Sequence, residues 1–176
     1  HIVVGYGSDE IYNYFEKKLP DHEILWALQK NRLGTAHAVQ QACPAIDAEA
    51  STNQVLILYG DVPLIQPDTL KNLLSRAKDN NISLLTLTTT ENKGLGRIIR
   101  NKSGQVTAII EEKDADEGQK KITEVNSGIM VLPAARLESW LGRIENTNKQ
   151  LEYYLTDLIK IAVADGYEVT AVNTQD

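Results

Sequence analysis

The sequence predicts an α/β sandwich built on a mixed, mainly parallel sheet. Three observations carry this expectation. Short apolar runs alternate along the chain with segments whose apolar residues recur at helical spacing. One of those runs, Gln54–Tyr59, is too apolar for a half-solvated strand and too short for a helix. It reads as a central strand covered on both sides. A hairpin signal then interrupts the alternation once, at positions 97–111.

Taken in order, Val3-Val4 close a short strand, and Ser8 is placed to cap a helix burying Ile11, Phe15 and Leu19. Glu23–Leu28 is the next strand, and Gly34-Thr35 open a helix with Val39 and Cys43 on one face. After Gln54–Tyr59, Pro67 fits a first helical position. Leu70, Leu73, Leu74 and Ala77 then follow at i, i+3, i+4 and i+7. Ile82–Thr89 reads as a strand. Arg97–Arg100, the turn Asn101-Lys102-Ser103-Gly104 and Gln105–Glu111 form the hairpin. The charged stretch Glu111–Lys121 is expected as solvated loop or short helix. Ile122–Leu132 is a strand, Ala134–Leu141 a helix with Leu137, Trp140 and Leu141 inward, and Tyr154–Asp165 a helix with Leu155, Leu158, Ile159, Ala162 and Val163 inward. Tyr167–Val172 closes the series.

Composition narrows the function. A chain of 176 residues has the length of one domain, with 42% hydrophobic and 24% charged residues, an ordinary balance for a globular protein. The longest apolar runs, Ile24–Leu28 and Val55–Tyr59, fall far short of the ~20 residues of a membrane-spanning helix. Net charge is −6 with no basic block, which argues against a nucleic-acid or anionic-membrane surface. The single cysteine, Cys43, excludes an internal disulfide and a multi-cysteine zinc site, and fits a cytoplasmic protein. The chain opens at His1 directly on a strand and stops at Val172-Asn173-Thr174-Gln175-Asp176, just after another. It reads as a piece of a longer protein.

Sheets of this kind bind ligands beyond the carboxyl ends of their strands. After Gln54–Tyr59 stand Gly60 and Asp61: either a turn, or a carboxylate able to hold Mg²⁺, which needs only one or two carboxylates besides waters and phosphates. After Leu28, Gln29 can present a donor and an acceptor to a pyrimidine edge, and the first amides of the Gly34-Thr35 helix are donors for an anion or a base carbonyl. Gln29 as a surface amide and Gly34-Thr35 as an ordinary cap is the plainer alternative. His37, beside the apolar stripe, reads as a hydrogen-bonded packing residue. In the strand around Asn126, Glu124, Asn126 and Gly128 share one face, which is either a lined pocket or the outer side of an edge strand. Gly94-Leu95-Gly96-Arg97 reads as a turn, and Gly5-Tyr6-Gly7-Ser8 lacks the third glycine of a dinucleotide loop.

In combination these segments resemble one family. Leu28-Gln29, Leu33-Gly34-Thr35-Ala36-His37-Ala38, Leu58-Tyr59-Gly60-Asp61-Val62-Pro63-Leu64, Gly94-Leu95-Gly96-Arg97-Ile98, Ile110-Glu111-Glu112-Lys113-Asp114, Glu124-Val125-Asn126-Ser127-Gly128-Ile129 and Glu152-Tyr153-Tyr154-Leu155-Thr156-Asp157 stand in the order found in the uridyltransferase domain of the bacterial bifunctional N-acetylglucosamine-1-phosphate uridyltransferase/glucosamine-1-phosphate acetyltransferase family. The resemblance covers essentially the whole chain. It implies a nucleotide-diphospho-sugar transferase fold, residues 1–176 forming one partial domain. The implied reaction joins UTP and N-acetylglucosamine 1-phosphate into UDP-N-acetylglucosamine and pyrophosphate with Mg²⁺. By position, Gln29, Gly34 and Thr35 would hold uracil. Tyr59, Gly60 and Asp61 would line the nucleotide and sugar, Asp61 also ligating Mg²⁺ as the catalytic carboxylate. Gly96, Glu111 and Asn126 would grip the sugar, with Thr156 near its phosphate.

The family's glycine-rich opening loop with its Arg and Lys, a second metal ligand and the β-helix acetyltransferase domain have no counterpart in this chain. The resemblance therefore implies a sheet lacking its first strand, an isolated piece that does not turn over, and a trimer formed only by the longer protein. The competing readings are a pyrophosphorylase for another sugar or base, a non-catalytic nucleotide-sugar binding domain, and a dinucleotide-dependent oxidoreductase resting on Gly5-Tyr6-Gly7.

Overall fold

A computed structural model of the chain describes residues 1–48, 53–77 and 81–174. Gln175 and Asp176, the tail noted above, lie outside the described residues. The elements are β1 (Ile2–Val4), α1 (Ser8–Lys18), β2 (Trp26–Leu28), α2 (Thr35–Ala42), β3 (Gln54–Ile57), α3 (Pro67–Arg76), β4 (Ile82–Thr88), β5 (Arg97–Arg100), β6 (Val106–Ile110), β7 (Glu124–Pro133), α4 (Ala134–Leu141), α5 (Asp157–Ala164) and β8 (Val169–Thr174).

The larger sheet runs β6-β5-β7-β4-β8, with β3 also paired to β7. Strands β3, β4, β5 and β8 run one way, because β7 is antiparallel to β3, β4 and β5 while β8 is parallel to β4. The sheet is thus mixed, as expected, but not mainly parallel in its pairing: β6 and the ten-residue β7 run against the other four strands, and among the described residues of this sheet only β4 and β8 pair parallel. One consequence positions everything functional. β3 and β5 lie end to end along a single edge of β7, β3 meeting it from Ile57↔Met130 onward and β5 at Arg97↔Val125. Between those pairings Asn126–Ile129 lies open to whatever follows β3 and precedes β5.

On the opposite edge of β7 the register to β4 slips between Leu84↔Met130 and Thr86↔Asn126. Ser127 occupies this bulge, donating its hydroxyl to the Leu85 carbonyl at 2.8 Å and accepting the Ile129 N–H at 3.2 Å. The distortion leaves Gly128 at φ 87°, a conformation that an L side chain disfavours.

Both faces of the sheet are covered. On one, Leu84, Met130 and Leu132 pack with Leu137, Trp140 and Leu141 of α4 and with Leu158 and Ile159 of α5. On the other, Leu73 of α3 packs with Leu85, Ile129 and Val131. Trp140 is fully buried, yet its indole N–H donates to Asp165 at 2.9 Å, so burying it leaves no donor unmet.

Several expectations are corrected. Gly7, at φ 74°, takes the cap position of α1 and Ser8 is its first helical residue; Ile11 and Leu19 each stay 36% exposed. β3 is not a central strand covered on both sides: among the described residues it pairs with β7 alone, only Ile57 within it is buried, and Leu58 just beyond it is 47% exposed. β1 and β2 form a separate two-stranded parallel pair. α5 begins only at Asp157, because Tyr153 and Leu155 bond to another part of the chain as described next.

Candidate active site

The site is assembled at the carboxyl ends of β2 and β3 and along the open stretch of β7. At the start of α2, Gly34 has φ 118°, and a Cβ there would stand 2.5 Å from the Tyr153 carbonyl oxygen. Only glycine fits. The approach is used in three hydrogen bonds: Ala36 N–H to the Tyr153 carbonyl at 2.9 Å, Tyr153 N–H to the Leu33 carbonyl at 2.8 Å, and Leu155 N–H to the Thr35 hydroxyl at 2.9 Å. One of the helix-start amides read above as free is therefore already taken. Gln29 reaches the same corner, its amide nitrogen donating to the Gly34 carbonyl at 3.1 Å and lying 3.0 Å from His37 Nδ1.

Tyr59, past the end of β3, bridges this corner to β7. A Cβ on Gly128 would overlap its ring at Cδ2 and Cε2, so the bulge glycine provides the ring's seat. Burial pushes the phenol pKa up, the facing Thr35 hydroxyl pulls the other way, and the charges of Glu111 and Asp61 raise it further. Gly60 and Asp61 occupy the adjoining turn, closed by Val62 N–H to the Tyr59 carbonyl at 3.3 Å, and both are exposed.

Beyond Tyr59 lies a second corner. Asn126 is buried; its backbone N–H donates to the Gly96 carbonyl at 2.8 Å and its side-chain oxygen accepts from Gly128 N–H at 3.0 Å. That leaves its side-chain NH₂ to present. Gly96 admits Glu111: a Cβ at Gly96 would meet Ile109 Cγ2 at 2.9 Å and the Glu111 oxygens at 3.4 and 3.5 Å. Thr156, buried at the head of α5, donates its hydroxyl to Glu111 Oε1 at 2.9 Å. Burial holds the Glu111 carboxyl above the usual carboxylate range despite the Thr156 hydrogen bond; Asp157 and Asp114 push it further up, and Arg97 opposes them. Asp157 is raised in turn, chiefly by its own burial.

The structure thus brings Gln29, Gly34, Thr35, Tyr59, Gly96, Glu111, Asn126 and Thr156 into one belt, with Gly60 and exposed Asp61 beside Tyr59. The sequence places Arg97 after a two-glycine turn and at the start of the hairpin strand, with no role at the site. Arg97 is 1% exposed, donates to the Leu95 and Lys120 carbonyls and faces Glu112 at 3.4 Å, so it braces the loop that carries Glu111. Its position as the first residue of β5, just after Gly94-Leu95-Gly96, was the available signal. Among the described residues no group of three or more His, Cys, Asp or Glu side chains is arranged to hold a metal ion. No helix among them is long and apolar enough to cross a membrane.

The sequence model described as Nucleotidyl transferase matches residues 4–176, and the chain belongs to that family. Over its full length the chain is 48% identical to the protein titled Bifunctional protein GlmU of Pseudomonas putida (strain GB-1), of which it covers 37%. Over 97% of its length it is 50% identical to the protein of the same title from Neisseria meningitidis serogroup C / serotype 2a, covering 36% of it. The chain therefore spans little more than a third of these curated relatives. Its fold matches a solved structure titled UDP-glucose pyrophosphorylase complexed with UDP-glucose, with a TM-score of 0.78 at 16% identity over 98% of this chain and 71% of that one. It also matches the inositol-1-phosphate CTP transferase from T. maritima, with a TM-score of 0.69 at 16% identity over 97% of this chain and 64% of that one. At that identity these two matches establish the fold.

Proposed function

We propose that this chain forms, as one domain, the uridylyl-transfer part of an enzyme making UDP-N-acetylglucosamine from UTP and N-acetylglucosamine 1-phosphate. The observation that carries the reading is the continuity of the belt. Tyr59, seated on Gly128, joins a corner suited to a base edge to a corner suited to a polyol, as a nucleotide sugar requires. Gln29 with Gly34 and Thr35 reads uracil, Asn126 donates to the sugar, and the Glu111 carboxylate accepts from sugar hydroxyls while Thr156 and the narrow space at Gly96 hold it in place.

In the reaction a phosphate oxygen of the sugar phosphate attacks the α-phosphorus of UTP. The bond from that phosphorus to the oxygen bridging to the β-phosphate breaks, and pyrophosphate leaves. The residues of this chain contribute by holding the two reactants in register, which can lower the barrier by several kcal/mol. Asp61 would hold Mg²⁺: an exposed lone carboxylate beside Tyr59 fits a cation that keeps waters and shares phosphate oxygens. When bound, that ion neutralises charge on the phosphates. A cytoplasmic location suits these substrates. The acetyl transfer and trimeric assembly implied by the family resemblance are proposed for the longer protein, not for these residues.

The test is calorimetric titration of the chain with UDP-N-acetylglucosamine, UDP-glucose, dTDP-glucose and GDP-mannose. UDP-N-acetylglucosamine should bind best and GDP-mannose not measurably. Preference for another base or sugar overturns the assignment.

A further inference from the structure

We infer that His37 is a positioning residue for base selection, holding the Gln29 amide so that its carbonyl oxygen is the atom left to meet the base. The proposal deepens the uridine reading above and rests on it. It starts from the Gly34 carbonyl, which can only accept a hydrogen bond. The Gln29 amide atom 3.1 Å from it must therefore be nitrogen. The same nitrogen lies 3.0 Å from His37 Nδ1. With a donor on that side, Nδ1 must be the accepting nitrogen of the neutral ring, and the ring proton must sit on Nε2.

Gln41 makes the competing claim from the other side. Its side-chain nitrogen donates to the His37 carbonyl at 3.0 Å and stands 3.4 Å from ring Nε2. A neutral imidazole has one accepting nitrogen, and the closer claim, by Gln29, takes it. Both N–H groups of Gln29 are then committed, one to Gly34 and one to His37, and Oε1 remains as the uncommitted atom. An outward acceptor complements uracil, whose N3–H lies between two carbonyls. It opposes cytosine, whose N3 presents a lone pair. His37 touches no substrate in this scheme; it acts through the orientation it enforces on Gln29.

Without the Nδ1 acceptor only the Gly34 carbonyl still holds the amide, which then turns more readily to present its NH₂ to cytosine. His37→Leu should therefore lower the preference for UDP over CDP by roughly ten-fold, the scale of one hydrogen bond left unmade. In His37→Asn the side-chain oxygen stands where Nδ1 stood, two bonds from Cβ, and should restore the preference.

The experiment titrates UDP and CDP into the wild-type chain and both variants by calorimetry, and reads the His37 tautomer of the ligand-free wild type from its ring ¹⁵N shifts. Support is an Nε2–H tautomer, a preference reduced in His37→Leu and recovered in His37→Asn. An Nδ1–H tautomer overturns the proposal even if His37→Leu fails to fold. So does an unchanged preference in His37→Leu, or an equal loss for both nucleotides that Asn does not rescue. A wild-type chain with no preference for UDP overturns the uridine reading and this role with it. A preference that survives His37→Leu removes only the role of His37.

Discussion

Gly128→Ala tests whether the seat of Tyr59 joins the two halves of the site. The backbone there has φ 87°, where a residue with a Cβ is disfavoured by about 1–2 kcal/mol. The added methyl also overlaps the Tyr59 ring at Cδ2 and Cε2, and relieving such a clash in a packed place costs typically ~1–3 kcal/mol. Together the substitution should destabilise the chain by roughly 2–5 kcal/mol. The two contributions are separable. In a Tyr59→Ala background the clash is gone, and Gly128→Ala should cost only the backbone part, so a double-mutant cycle should return a coupling of about 1–3 kcal/mol. Urea unfolding followed by tyrosine and tryptophan fluorescence gives the four stabilities. A coupling within ~0.5 kcal/mol of zero, the additivity expected of independent sites, would refute the contact.

Three further outcomes follow from the site. In a full-length protein containing this chain, Asp61→Asn should leave UDP binding intact and reduce Mg²⁺-dependent pyrophosphate release by about two orders of magnitude or more; unchanged release at saturating Mg²⁺ removes the metal assignment. Asn126→Ala, measured in the same protein, should raise the KM for N-acetylglucosamine 1-phosphate far more than that for UTP, and the reverse pattern would exchange the two corners. Glu111 titrates above the usual carboxylate range in the folded chain, so the folded state binds more protons than the unfolded one between the ordinary and the raised value. Stability should therefore fall as pH rises through that window. Glu111→Gln should flatten this part of the pH–stability curve in urea unfolding, and a curve as steep as wild type would show that Glu111 is not its source.

Much of the fold was legible because it is written locally. The hairpin β5–β6 could be placed from Asn101-Lys102-Ser103-Gly104: the Asn101 side-chain oxygen accepts the Ser103 and Gln105 amides, and Gly104 has φ 83°. The apolar spacing of α4 gave its limits and its buried Leu137, Trp140 and Leu141. What escaped depends on partners distant in sequence. Val55–Tyr59 has the composition of an inner strand, yet sequence does not say how many neighbours bond to it. The delayed start of α5 reflects the bonds that hold Tyr153 and Leu155 to Leu33, Thr35 and Ala36, which outweigh helical periodicity there.

The site divides in the same way. Gln29, Gly34, Tyr59 and Glu111 could be found because they follow strands, and Asn126 because it shares a polar face with Glu124 and Gly128 near the start of one. Gly128 could not be recognised as the seat of Tyr59, since its positive φ arises from a bulge against Leu85, far away in sequence. Nor could the link from Thr156 to Glu111, or the burial of Arg97 beneath that loop. A glycine between Asn126 and Ile129 was visible; the ring it accommodates was not.

The most direct measurement of the central claim, two half-sites joined at Tyr59, is a backbone amide map of the ¹⁵N-labelled chain titrated first with UDP and then with UDP-N-acetylglucosamine. UDP should move Gln29, Gly34, Thr35 and Tyr59. The sugar nucleotide should move these and add Gly96, Glu111, Asn126 and Thr156. Shifts confined to one corner with both ligands, or centred away from Tyr59, would contradict it.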